Sequence, residues 1–158
     1  MPATKSNPAA AETFASRVAI TRLIHAPRAL VFAAWTDPQH LARWCHLDAF
    51  KTEKMEVDAR VGGQWNITVR TPDGGEISIR RVFREIVAHE RIVFYEKCSA
   101  GEKILLDGTH TILFADENGG TRIDISCDLA TPFDADNQQG WGAGWGQLLD
   151  RLASHVKG

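Results

Sequence analysis

Ala26-Pro27-Arg28-Ala29-Leu30-Val31-Phe32-Ala33-Ala34-Trp35-Thr36-Asp37-Pro38, running on to Leu41 and Trp44, is the stretch on which the reading of this chain turns. It holds two helix starts in quick succession. Pro27 and Pro38 suit the first helical position, where the missing N–H has no intrahelical partner, and the Asp37 carboxylate is placed to cap the second helix. The helical period puts Leu30, Val31, Ala34 and Trp35 on one face of the first helix, and Leu41, Trp44 and Cys45 on one face of the second. Two short helices with apolar faces need a larger layer to pack against.

The flanking sequence supplies that layer. Arg17 to His25 reads as a strand that ends at the Ala26-Pro27 helix signal. After the helix pair the pattern has period two: Phe50 to Asp58, then Gly62-Gly63, then Gln64 to Arg70, with Thr71-Pro72-Asp73-Gly74-Gly75 turning the chain into Glu76 to Val87. Ala88-His89-Glu90 reverses it into Arg91 to Lys97. Ser99-Ala100-Gly101 leads to Ile104–Ala115, and Asp116-Glu117-Asn118-Gly119-Gly120 to Thr121–Leu129. The expectation is seven antiparallel strands with two helices inserted after the first. A long helix follows, from about Asp136 to Lys157. On it Trp141, Trp145, Leu148, Leu149, Leu152 and Val156 occupy one arc about 100° wide, so it covers one face of the sheet. The same helix carries Gly140, Gly142, Gly144 and Gly146, which together cost about 3–4 kcal/mol of helix propensity relative to alanine. Either they let a backbone or a bound molecule approach closely, or this half of the helix is frayed or kinked.

With 158 residues, 44% of them hydrophobic, and a net charge of -2, the chain is the size of one globular domain, here placed at residues 17–158 behind a loosely ordered tail at 1–16. Cys45, Cys98 and Cys127 are scattered singly, which fits a reducing compartment and hence the cytoplasm. Lys+Arg 18 against Asp+Glu 20 leaves no field to attract nucleic acid, and Arg80, Arg81 and Arg84 alternate between strand faces instead of forming a stripe. The longest apolar run, Ala29 to Trp35, is far short of the roughly 20 residues that span a bilayer, so no membrane partner is expected. Met1 to Ser16 lacks the apolar stretch of a secretory signal.

Several motifs together resemble one family. Ala26-Pro27-Arg28-x-Leu30-Val31-Phe32-x-Ala34-Trp35-Thr36-Asp37-Pro38, Leu41-x-x-Trp44, Gly62-Gly63, Asp73-Gly74-Gly75, Glu85-Ile86-Val87-x-x-Glu90-Arg91-Ile92-Val93 and Gly140-Trp141-x-x-x-Trp145 are similar, in order, to landmarks of the bacterial proteins related to the activator of heat-shock-protein-90 ATPase. These belong to the START-like, helix-grip superfamily that includes the birch-pollen allergen. The resemblance covers about residues 17 to 157 and implies an α+β fold, a curved sheet wrapped around the C-terminal helix, often with a cavity for a small hydrophobic ligand. It implies no shared catalytic set. The chaperone-activating members carry an additional N-terminal domain for which a chain starting its first strand near Arg17 has no room, which argues against a chaperone partner.

Candidate site residues follow from strand parity. Ile77, Ile79, Arg81, Phe83 and Glu85 share one face of their strand, which sets Arg81 among inward residues where family members commonly have glycine. An inward arginine needs a partner. A ligand carboxylate or phosphate would serve, as would an internal pair with Glu85 or Asp107, and a bulge would instead turn Arg81 outward. His110 shares parity with Ile112 and Phe114, either as a hydrogen-bonded core histidine or as a group that orients a ligand or carries a proton. Trp65, with Ile67 and Val69, and the pair Trp141 and Trp145 form aromatic walls suited to a flat apolar ligand or to plain core. The candidate ligand-binding set is therefore Trp65, Arg81, Phe83, His110, Trp141 and Trp145. Cys45-His46 and His40 lack the i, i+4 spacing of a helical chelate, so no metal is expected, and no cofactor is either. Gly62-Gly63, Gly74-Gly75 and Gly119-Gly120 lie between strands, where turns account for them.

The leading expectation is a carrier or sensor that holds a small hydrophobic or amphipathic molecule between sheet and C-terminal helix. Two alternatives stand beside it: a polyketide cyclase or aromatase-like enzyme using His110 and Arg81, and a chaperone-associated protein-interaction module using an outer surface. An enclosed polar cavity favours the carrier and the enzyme, and a filled core with an exposed apolar patch favours the interaction module. The residues leave the oligomeric state open, a homodimer included.

Overall fold

The computed structural model describes residues 16–130 and 134–157, so most of the expected tail, residues 1–15, lies outside the described residues. Strand β1 (Ser16–Ile24) leads into helices α1 (Arg28–Thr36) and α2 (Pro38–Trp44). Strands β2 (Lys51–Val57), β3 (Gln64–Arg70), β4 (Glu76–Val87), β5 (Arg91–Ala100), β6 (Lys103–Glu117) and β7 (Gly120–Leu129) follow, and helix α3 (Ala135–Lys157) ends the chain. The seven strands form one sheet in the order β1-β7-β6-β5-β4-β3-β2, with every neighbouring pair antiparallel. A six-stranded meander is thus closed at one edge by the first strand. This is the α+β helix-grip architecture that the element order implied. Among the described residues no helix is long and apolar enough to cross a membrane.

The helix pair is locked by local chemistry. Asp37 accepts a hydrogen bond from the Gln39 N–H at 2.8 Å, with Pro38 at the start of α2, and the Trp44 indole N–H reaches back to the Ala34 carbonyl at 2.8 Å. Two details differ from the sequence expectation. Pro27 is the cap residue of α1, not its first helical residue, because its ψ of 149° is extended. Leu30 is 39% exposed and Phe32 is buried in its place, packed edge-on against Phe114 with ring centroids 5.4 Å apart. The apolar arc of α1 is therefore turned toward Phe32, with Val31, Ala34 and Trp35 buried as expected.

Turn chemistry sets the strand ends. Asn118 and Gly119, with φ of 50° and 79°, supply the two positive dihedrals of a tight hairpin between β6 and β7. A bulge shifts the β4–β5 register between Phe83 and Glu85. Inward parity holds through Arg81 and Phe83, but Glu85 is thrown out to solvent, where it pairs with Arg91 at 2.9 Å.

Helix α3 is continuous from Ala135 to Lys157, so its glycines do not interrupt it. It lies against β1, α1 and α2. Trp141, Trp145, Leu148, Leu149 and Leu152 are buried, Val156 is half-buried, and Trp145 stacks on Trp35 at 5.7 Å with rings 16° from parallel. This contact makes α3 part of the core. Trp145→Ala and Leu152→Ala should each cost about 2–5 kcal/mol in urea unfolding, whereas Val61→Ala should stay within about 0.5 kcal/mol. Equal losses at all three positions would place α3 outside the core.

Candidate ligand-binding cavity

The concave face of the sheet carries the site in two adjacent cross-strand rows. Trp65 on β3, Arg81 on β4, Glu96 on β5 and Gly108 on β6 are successive partners, and Phe83, Phe94, His110 and Cys127 make the neighbouring row. Pairing across strands brings these side chains into contact on one face. Gly108 is required where it stands, since a Cβ there would sit 2.7 Å from the Asp128 carbonyl and 2.8 Å from the Cys127 sulfur.

Arg81 and Glu96 form a buried ion pair, with Nε–H donating to Oε1 at 2.7 Å and the two residues only 5% and 6% exposed. The guanidinium carbon lies 4.1 Å from the centre of the Trp65 ring and 4.9 Å from that of Phe94, so aromatic faces take the place of water around the cation. His110 stacks on Phe94 with centroids 4.9 Å apart and accepts a hydrogen bond at Nε2 from the Trp141 indole N–H at 3.2 Å. Acceptance at Nε2 assigns the single proton of the neutral imidazole to Nδ1. Nδ1 is 3.9 Å from Glu96 Oε1, too far for a hydrogen bond. Arg81 Nη1 and His110 Nδ1 are consequently buried donors with no protein acceptor.

Burial pushes His110 down to about 4, with the Arg81 charge acting in the same direction and Glu96 opposing, so the imidazole is neutral at pH 7. For Glu96 burial works against ionisation, but the Arg81 guanidinium outweighs it and holds the carboxyl below its usual range. Beside them burial pushes the Cys45 thiol up to about 11. The cluster is one cation, one anion and neutral groups.

These residues line a cavity of about 550 Å³ between the sheet and α3. Arg81, Glu96 and His110 contribute from the sheet, and Trp141, Gly144 and Trp145 from the helix. Its open end carries Ile104 and Leu105, which line it and are 47% and 36% exposed. A curved antiparallel sheet gripping a long helix over such a space defines the START-like, helix-grip class of protein.

Residues 25–157 match the model of the family described as Activator of Hsp90 ATPase homolog 1-like protein, and the chain belongs to that family. Among solved structures it is similar to a putative uncharacterized protein from Rhizobium leguminosarum, at 27% identity and a TM-score of 0.79 over 90% of this chain and 94% of the other. A protein from Chromobacterium violaceum is 26% identical with a TM-score of 0.75, over 90% and 99% of the two chains. The solution structure of an AHSA1-like protein from Aeromonas hydrophila is 26% identical with a TM-score of 0.70, over 90% and 92%. No curated protein matches the chain.

Of the six side chains singled out in the sequence, Arg81, His110, Trp141 and Trp145 line the cavity together. Trp65 and Phe83 do not. Arg81 lies over the Trp65 ring and screens it from the space, and Phe83 stacks behind Trp65 at 6.1 Å. The partner of Arg81 is Glu96, neither Glu85, which the bulge expels, nor Asp107, which accepts the Tyr95 hydroxyl at 2.7 Å. Glu96 is the residue that sequence reasoning missed, although Ile92, Phe94 and Glu96 alternate inward along β5. His40 joins neither Cys45 nor His46 but meets His155, with Nδ1 and Nε2 2.7 Å apart.

Two consequences can be measured. Removing one member of a buried pair strands the other, so Arg81→Met should cost about 3–5 kcal/mol, and adding Glu96→Leu should recover most of it. No recovery in the double variant would mean that the pair does not act as a unit. His110 in the fold stays neutral down to about pH 4, whereas in the unfolded chain it takes up a proton near its ordinary 6.5. Between these values the unfolded state binds more protons, so stability falls as pH falls, by on the order of 3 kcal/mol in full. Urea midpoints of His110→Phe should therefore decline less steeply than wild type from pH 6.5 to 4.5, and parallel profiles would contradict a buried neutral imidazole.

Proposed function

We propose that this protein is a cytoplasmic carrier or sensor that holds a small hydrophobic or amphipathic molecule in the cavity between the sheet and α3. The observation that carries the reading is a space of about 550 Å³, walled by Trp141, Trp145 and strand side chains, with a buried polar cluster at one place on its wall. A close-packed domain fills such a volume with side chains. Here the helix does the opposite: Gly140 and Gly144 line the cavity, and a Cβ at Gly140 would meet nothing within 4 Å, while one at Gly144 would meet only Leu47 at 3.9 Å. Alanine would fit at both positions and favour the helix. Glycine there is explained by room for a ligand. The half-buried or buried, unpaired thiols of Cys45, Cys98 and Cys127 accord with a reducing compartment.

Native mass spectrometry of the protein purified from its own host should reveal a retained molecule, lost on denaturation. Gly140→Ala should raise stability by up to about 1 kcal/mol. Gly144→Phe, which places a ring in the cavity, should abolish retention while the protein remains folded by circular dichroism. Undiminished retention in Gly144→Phe would place the ligand elsewhere.

A further inference from the structure

We propose that the cavity takes its ligand apolar end first, as an amphipathic molecule whose unbroken apolar body lies inside and whose polar end stays at the mouth. This rests on the ligand-binding reading above and adds the ligand's orientation and shape. Cross-strand pairing lays out the sheet wall of the cavity in rows. Nearest the open end, Val69 pairs with Ile77, with Ile104 and Leu105 on β6 beside them. Next come Ile67, Ile79, Cys98 and Leu106, successive partners across β3, β4, β5 and β6. The row behind is Trp65, Arg81, Glu96 and Gly108. From Ile77 to Arg81 the wall runs four residues along β4, roughly 13 Å of extended chain, which sets the length of the body it accommodates.

Exposure runs opposite to polarity along this path. Ile77 and Ile79 are inward residues yet only half-buried, and Ile104 and Leu105 are 47% and 36% exposed, whereas Arg81, Glu96 and His110 are 5%, 6% and 1% exposed. The aliphatic rows are open to the cavity and the charged row is closed off. Arg81 Nε–H is spent on Glu96, the Trp141 N–H is spent on His110 Nε2, and Arg81 Nη1 and His110 Nδ1 have almost no accessible surface. The faces of Trp65 and Phe94 cover the guanidinium. A polar group on the inner end of a ligand would lose its water and meet partners already used or covered. An apolar end loses nothing there and covers the aliphatic surface that the fold leaves open on Ile77, Ile79 and Leu105. Polar side chains within reach of a ligand stand at the mouth, where Lys103, Asp136 and Asn137 line the opening and are exposed. Lys103 and Asp136 carry opposite charges, so the mouth accepts an anionic, cationic or neutral head without strong preference.

Isothermal titration calorimetry of the full chain at pH 7.5 and low salt tests this with four probes of one chain length: 1-decanol, 1,10-decanediol, decanoate and decylamine. Decanol should bind at least about 10-fold tighter than the diol, whose second hydroxyl has to enter the cavity, and decanoate and decylamine should stay within about 5-fold of each other. Lys103→Glu, a change at an exposed position, should lower the decanoate-to-decylamine affinity ratio by at least about 3-fold and leave decanol binding unchanged. Equal affinity for decanol and the diol would show that the inner wall accepts a polar end, and would overturn the inference while leaving the cavity reading intact. An unchanged ratio in Lys103→Glu would overturn it too, by placing the head away from the mouth. Failure of all four probes, decanol included, would count against the cavity reading and this inference with it.

Discussion

A guanidinium and a carboxylate held 2.7 Å apart with almost no access to water set the terms for the concave face of this sheet. Taking both charges out of solvent is costly, and their attraction compensates only if the geometry is close and the remaining donors and acceptors are met. The sheet supplies the geometry by making Arg81 and Glu96 direct cross-strand partners. Trp65 and Phe94 supply a polarisable surround for the cation, and His110 extends the polar cluster toward α3 through its bond from Trp141. What the fold leaves unmet are two buried donors, Arg81 Nη1 and His110 Nδ1. An apolar pair of similar volume is often as stable as a buried ion pair or more so, so the stability of this core does not by itself require Arg81 and Glu96.

Helix α3 shows the same preference in another form. Its C-terminal half is anchored: Leu148, Leu149 and Leu152 are buried, Arg22 pairs with Asp150, Arg151 with Asp48, and His155 meets His40. Its N-terminal half holds the four glycines and touches the molecule chiefly through Trp141 and Trp145. The glycines forgo about 3–4 kcal/mol of helix propensity in total. That loss is tolerable because Trp35 and Trp145 stack deep in the core and hold the helix down from its middle.

The parts of this structure legible in the sequence are those set by local rules. Gln64 to Arg70 and Glu76 to Val87 are readable to the residue because the turns at Gly62-Gly63, Gly74-Gly75 and Ala88-His89-Glu90 bound them and alternation fills them. The helix pair was readable from Pro38, Asp37 and the spacing of its tryptophans. What was not readable depends on non-local fact. A single extra residue at Arg84 reverses inward and outward for the rest of the strand, and no composition signal marks it, so strand parity alone puts Glu85 on the wrong face. Parity says which face a side chain takes but not its depth, and so could not tell that Arg81 would lie over Trp65 and hide it. Glu96 was within reach, as the third inward residue after Ile92 and Phe94, but a carboxylate at an inward position makes sense only once its cross-strand neighbour is known.

The polar cluster and the thin half of α3 meet in Trp141. Its ring forms part of the cavity wall, its N–H fixes the proton of His110 on Nδ1, and its helix turn is flanked by Gly140 and Gly142. Were that indole absent, the imidazole could change tautomer, and the buried donor at Nδ1 would become an acceptor. The electrostatic character of the site is therefore not a property of Arg81 and Glu96 alone. It is settled by one hydrogen bond from the helix to the sheet, and that bond can form only because the glycine-rich turn, though poor in helix propensity, is held in register by the stacking of Trp145 on Trp35 one turn further along. Stability in the anchored half of the helix is thus what holds the glycine-rich half, and with it the His110 tautomer, in place.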